Sequence, residues 1–169
     1  MKNLIRIFLI LIIVGAAIGI HSSCSDENDC SMAGRPMMYC TFKTNDPDND
    51  NAVLNDTLDS LTVRAMGTDS IILNNEKDVH TVMPLRYTSD STVFIFQYNP
   101  VLNPEDVDTV YIVQESTPYF QSMECGYMMK QNIISAAFGN RKNSTEKITS
   151  IELRNKEANS NEIENLQIF

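Results

Sequence analysis

The sequence predicts an all-β domain: an antiparallel, immunoglobulin-like β-sandwich of about 8–10 short strands. Three observations carry that expectation. Apolar residues recur with period two in short runs, as on strands with one buried face. Asn, Asp, Gly and Pro bound those runs, and these residues favour turns. No segment shows sustained helical periodicity with caps at its ends.

The first run sets Met38, Cys40 and Phe42 on one face. Leu61, Val63 and Ala65 alternate against Thr62 and Arg64 in the second. Ser70 to Leu73 is short and apolar. Val79 to Tyr87 is interrupted by Pro84, which cannot donate to a ladder and suits an edge or a bend. Val93-Phe94-Ile95-Phe96 is apolar on both faces and reads as a central strand. Val110 to Val113 follows. Ile133 to Phe138 holds the helix formers Ala136 and Ala137, but its β-branched start and the Gly139-Asn140 turn favour a strand. Ile148 to Leu153 and Leu166 to Phe169 complete the set. Turns are expected at Asn45–Asn55, Asn74–Lys77, Asn99–Glu105, Asn140–Ser144 and Asn155–Asn161.

Ahead of these runs, Lys2 and Arg6 lead into an apolar stretch from Ile7 to Ile20, and Ser22 and Ser23 precede Cys24. A basic start, an apolar stretch and small residues at a cleavage point define a secretory signal. The stretch is shorter than the roughly 20 residues that cross a bilayer, which favours a cleaved signal over a transmembrane anchor. It resembles a bacterial lipoprotein signal, in which the cysteine thiol receives a diacylglycerol and becomes the first mature residue. His21 stands where such signals usually carry Leu. The expected organisation is a lipoprotein signal peptide at 1–23, an acidic tether at 24–34 and one β-sandwich domain at 35–169, with lipid on Cys24.

The chain carries 13 Lys+Arg and 22 Asp+Glu; the signal removes two of the former, leaving 11 against 22, a formal charge of −11. Such a surface repels phosphate backbones, which argues against nucleic acid as a partner. Export also implies an oxidising compartment, where disulfides persist. With Cys24 on lipid, Cys30, Cys40 and Cys125 allow one bridge and one leftover. Cys30 and Cys125 sit among polar or turn residues, while Cys40 lies in an apolar alternation, where a free thiol behaves as a small hydrophobe. Cys30–Cys125 is the expected bridge and Cys40–Cys125 the alternative. The expected bridge closes a loop of about 95 residues, which contributes a few kcal/mol in the chain-entropy model.

No catalytic constellation stands out. After the signal, His80 is the one histidine left for a Ser-His-Asp or Cys-His site, and it reads as an edge-strand residue. Cys30, Cys40, His80 and Cys125 are too scattered for a zinc site. Asp46, Asp48 and Asp50 alternate as at the start of a calcium loop. Pro47 is rigid, however, Asn51 replaces the turn glycine, and Thr57 stands where the bidentate Glu belongs, so an acidic inter-strand loop is expected. No cofactor is expected. Met123, Met128 and Met129 read as core filling near the cysteine turn, with an adaptable binding surface as the alternative.

The order of features resembles a family of small, functionally uncharacterised Bacteroidetes lipoproteins. The residues that carry the resemblance are the signal with Ser23-Cys24-Ser25-Asp26-Glu27-Asn28-Asp29-Cys30, then Asp59-Ser60-Leu61-Thr62-Val63, and then Pro118-Tyr119-Phe120-Gln121-Ser122-Met123-Glu124-Cys125-Gly126. The last segment is the most specific. The resemblance implies a cell-envelope location at the outer membrane, on its periplasmic face or the cell surface. The acidic residues after Cys24 resemble a surface-export signal of that phylum. Thr57, Ser60, Ser70, Ser91 and Thr109 each follow an Asp, and all but Ser91, which stands before Thr92, precede an apolar residue; the pattern resembles the phylum's O-glycosylation acceptor. No activity comes with the resemblance. The expected function is a lipid-anchored, non-enzymatic binding or accessory module whose partners are the membrane and outer-membrane proteins or glycans. A small lipid-anchored hydrolase acting on glycan or peptide is the alternative.

Overall fold

The computed structural model describes residues 37–68, 70–102, 104–140, 147–158 and 161–169. Ten strands form two five-stranded sheets, and no helix occurs among the described residues. In the first sheet β2 (Ala52–Asn55), β1 (Met38–Asp46), β10 (Glu164–Ile168) and β9 (Ile151–Leu153) lie side by side. β5 (His80–Met83) pairs with the first half of β1, on residues 38–41, and β2 with its second half, on residues 43–46. The second sheet runs β4 (Ile71–Asp78), β3 (Leu58–Ala65), β6 (Ser91–Tyr98), β7 (Val107–Ser122), β8 (Gly126–Asn140).

Both sheets turn alternate side chains onto one shared core. Met38, Cys40, Phe42, Leu166 and Ile168 come from the first sheet, and Leu61, Val63, Phe94, Phe96, Val110, Ile112 and Ile133 from the second. Phe42 and Phe96 meet edge-on at 6.3 Å, a favoured aromatic geometry. Each such fully buried side chain stabilises the fold by about 1.5–3 kcal/mol relative to exposure. The period-two pattern of Met38 to Phe42 and the buried Phe94 and Phe96 of β6 agree with the sequence reading.

The sheets are not wholly antiparallel. β1 and β10 pair in parallel, from Tyr39↔Glu164 to Phe42↔Ile168. A parallel pair needs a long crossover, and here nearly the whole domain provides it. The chain passes from the second sheet to β9 through a segment pinned by Asp108. This buried carboxylate accepts from the N–H groups of Lys147 (3.1 Å) and Ile148 (3.0 Å) through Oδ2, and Ile148 enters the core.

Several local expectations are corrected. Asn74–Lys77 is not a turn but part of β4, an exposed edge strand whose pairing with β3 is irregular. Asn75 takes a positive φ of 51° there, which Asn tolerates, so turn-like composition survives within a strand. The expected turn at Asn45–Asn55 shrinks to residues 47–51, because β2 pairs back on β1. Of Ile148 to Leu153, Ile151–Leu153 is strand. The signal, the tether, Cys24 and Cys30 lie outside the described residues.

Candidate functional site: a projecting β-hairpin

β7 and β8 run well past the sheet that contains them. The last β6 partner of β7 is Val113, opposite Ser91. At that point the register between β7 and β8 shifts: Val113 faces Ser135, Gln114 faces Ile133, and Ile134 is left over. Such a bulge bends a ribbon and re-aims its side chains. From there the two strands continue as a ribbon, through Thr117↔Lys130, Tyr119↔Met128 and Phe120↔Tyr127, to Ser122↔Gly126. The tip closes because Gly126 adopts a left-handed φ of 68° and Cys125 N–H donates to Ser122 Oγ at 3.0 Å.

Two buried glutamines fix the root of this arm. Gln114 accepts from Thr92 Oγ1 at 2.8 Å and donates to the carbonyls of Arg86 (2.5 Å) and Ser89 (3.2 Å). Gln131 donates to Arg86 O at 3.1 Å, while its own Oε1 is buried without a partner. Backbone bonds add to this on the β8 side: Ile133 N–H donates to Lys156 O, and Ala158 N–H to Gln131 O. Lys130 pairs with Glu157 at 2.9 Å.

Beyond the root the arm is apolar and open to solvent. Met123 is 91 % exposed, Tyr127 76 % and Phe120 52 %. Phe120 and Tyr127 touch edge-on at 5.7 Å. From Pro118 to Met129 the one charged residue is Glu124. The expectation that Met123, Met128 and Met129 fill the core is therefore corrected. They belong to the arm, where Met128 and Met129 are half-buried.

Among the described residues Cys40 is a free, fully buried thiol, as the apolar alternation around it implied. Burial pushes its pKa up, with the Glu164 carboxylate adding to the effect. Cys125 sits half-buried at the arm's tip.

The other candidates separate clearly. In the loop after β1, Asp46 Oδ1 accepts from Asp48 N–H at 3.0 Å, and Asp50 and Asn51 take left-handed φ values in the hairpin turn. No group of three or more His, Cys, Asp or Glu gathers among the described residues. Thr57, Ser70 and Ser91 are exposed and Ser60 is half-buried. Thr109 is 6 % exposed, so folding withdraws it from any glycosyltransferase. His80 lies exposed on edge strand β5, stacked on Tyr39 at 5.2 Å and 3.4 Å from Asp78.

At the opposite end of the sheets, a cavity of about 40 Å³ is lined by Phe42, Leu58, Tyr98, Lys147 and Ile168 among others. That is room for about one water molecule, not for a substrate. Lys147 sits 5.4 Å over the Tyr98 ring and 3.2 Å from Asp106 Oδ2. Burial, and then the Asp108 carboxylate, push the Tyr98 phenol well above its ordinary range. Sequence reasoning singled out Thr109 in the Asp108-Thr109-Val110 run and missed Asp108, the residue that does structural work there.

One mixed and one antiparallel sheet around one core, with an apolar hairpin projecting from one end, define an all-β protein whose distinctive surface is that hairpin. The chain belongs to a family of unknown function (DUF6452), whose model matches residues 60–169 and so includes the whole arm. No curated protein and no solved structure matches it.

Proposed function

We propose that this protein is a lipid-anchored component of the bacterial cell envelope, of the Bacteroidetes lipoprotein kind. In this reading it is a non-enzymatic binding or accessory module at the outer membrane, its two sheets an immunoglobulin-like sandwich and Cys30–Cys125 its disulfide. The leader from Lys2 to Cys24 supports the anchor. The observation that carries the binding role is the β7–β8 arm. It projects past the sheet and sets aromatic and methionine side chains in solvent, and exposed apolar patches of this kind mark interaction sites. Among the buried polar side chains, Asp108, Gln114 and Asn165 each hold backbone groups of other segments.

Mass spectrometry of the mature N-terminus tests the anchor, with fractionation of the envelope beside it. The expected species begins at Cys24 with a diacylglyceryl thioether, and Cys24→Ala abolishes that processing. An unmodified N-terminus elsewhere rejects the reading.

A further inference from the structure

We propose that the tip of the β7–β8 arm is a membrane-contacting element, with Phe120, Met123 and Tyr127 seated among the headgroups of the bilayer that holds the acylated N-terminus. The inference rests on the lipid reading of Cys24 and adds to it a second, non-covalent contact. Three observations carry it. The first is direction. Tyr39 N–H, at the start of β1, donates to Asn165 Oδ1 (2.8 Å), and Asn165 Nδ2 donates to Glu157 O (2.8 Å). Glu157 in turn bridges to Asn132 on β8, beside the arm's root. The chain therefore enters the domain at the end from which the arm projects.

The second is length. Between Cys24 and Met38 the extended chain spans at most about 50 Å, at roughly 3.3–3.6 Å per residue. From Gln131 to Cys125 the arm extends about 20 Å, at roughly 3.3 Å per residue. A disulfide from Cys125 to Cys30 leaves a reach of only about 20 Å between the arm's tip and the acylated residue. The tip is then the part of the domain nearest the bilayer.

The third is chemistry. An isolated two-stranded ribbon is marginally stable in water, so this one gains from a surface at its free end. Aromatic rings with a polar edge favour the headgroup region, and Phe and Met favour the acyl boundary just beneath it.

The chain contains no Trp, so a single introduced Trp reports its own surroundings. Full-length acylated protein carrying Tyr127→Trp, Phe120→Trp or, at the far end in the exposed β6–β7 loop, Val101→Trp is reconstituted into phosphatidylcholine vesicles with brominated acyl chains. Trp at 127 and at 120 should be quenched roughly twofold and blue-shifted, because each reporter lies at the headgroup–acyl boundary. Trp at 101 should remain unquenched. Circular dichroism matching the parent shows that each variant has folded, and the two arm positions check one another. If the protein floats with the vesicles while 120 and 127 stay as unquenched as 101, the arm faces a protein or solvent. The membrane contact is then wrong and the anchor stands. If the protein does not float at all, anchor and contact fail together.

Discussion

Asn165 Oδ1 accepts a hydrogen bond from the Tyr39 backbone N–H at 2.8 Å, across 126 positions of sequence. The same side chain donates to Asn155 O (2.9 Å) and Glu157 O (2.8 Å), and it is fully buried. One amide thus ties the start of β1 to the segment that braces the arm's root.

Asn165→Ala should destabilise the domain by about 2–4 kcal/mol, because it leaves one backbone donor and two carbonyls buried without partners. Asn165→Asp should be nearly as harmful, since a carboxylate cannot donate to the two carbonyls. Urea unfolding followed by circular dichroism measures both. A loss under about 0.5 kcal/mol, the scatter of ordinary surface substitutions, would show that Asn165 is not the tie.

Asp108→Ala should cost on the order of 2–3 kcal/mol by freeing the Lys147 and Ile148 N–H groups. Asp108→Asn keeps one acceptor oxygen and should cost distinctly less. Amide exchange at Ile148 gives a local readout, with protection falling in the Ala variant first. Equal losses for the two variants would contradict a capping role.

Phe42 and Phe96 hold the sheets together, so Phe42→Ala and Phe96→Ala should each cost about 3–5 kcal/mol. Their effects should not add. A double-mutant cycle should return a coupling of roughly 0.5–1.5 kcal/mol, the scale of an edge-on aromatic pair. Strict additivity would mean that the ring contact contributes nothing beyond burial.

Stability should decline at alkaline pH. Cys40 and Tyr98 both have raised pKa values, chiefly through burial, so the folded state favours their neutral forms. Their contribution is fully present below the unfolded values, about 8.5 for Cys and about 10 for Tyr, and is lost as pH rises above them. The urea midpoint should therefore hold from neutral pH to about 8.5 and fall beyond it. Combining Cys40→Ala with Tyr98→Phe should flatten that fall. Alkylation makes the same point: Cys40 should resist iodoacetamide in the native protein and react once urea is added.

The sequence by itself determined the class of the fold and most of its strands. Alternation from Met38 to Phe42 needs only the two-residue period of a strand to show which side chains are buried. Cys40 was legible as a buried thiol for the same reason. The arm was not legible. Pro118, Ser122 and Gly126 read as loop residues, and nothing in the stretch from Gln114 to Gln131 alternates cleanly between apolar and polar. The pairing Thr117↔Lys130 to Phe120↔Tyr127 depends on the partner strand, which local composition does not encode. Register, the parallel match of β1 with β10, and the roles of Asp108 and Asn165 were likewise decided by tertiary structure. Asp108 reaches the Lys147 N–H across 39 positions, and Asn165 reaches the Tyr39 N–H across 126. A buried polar side chain is given its task by the distant backbone groups that the fold leaves beside it.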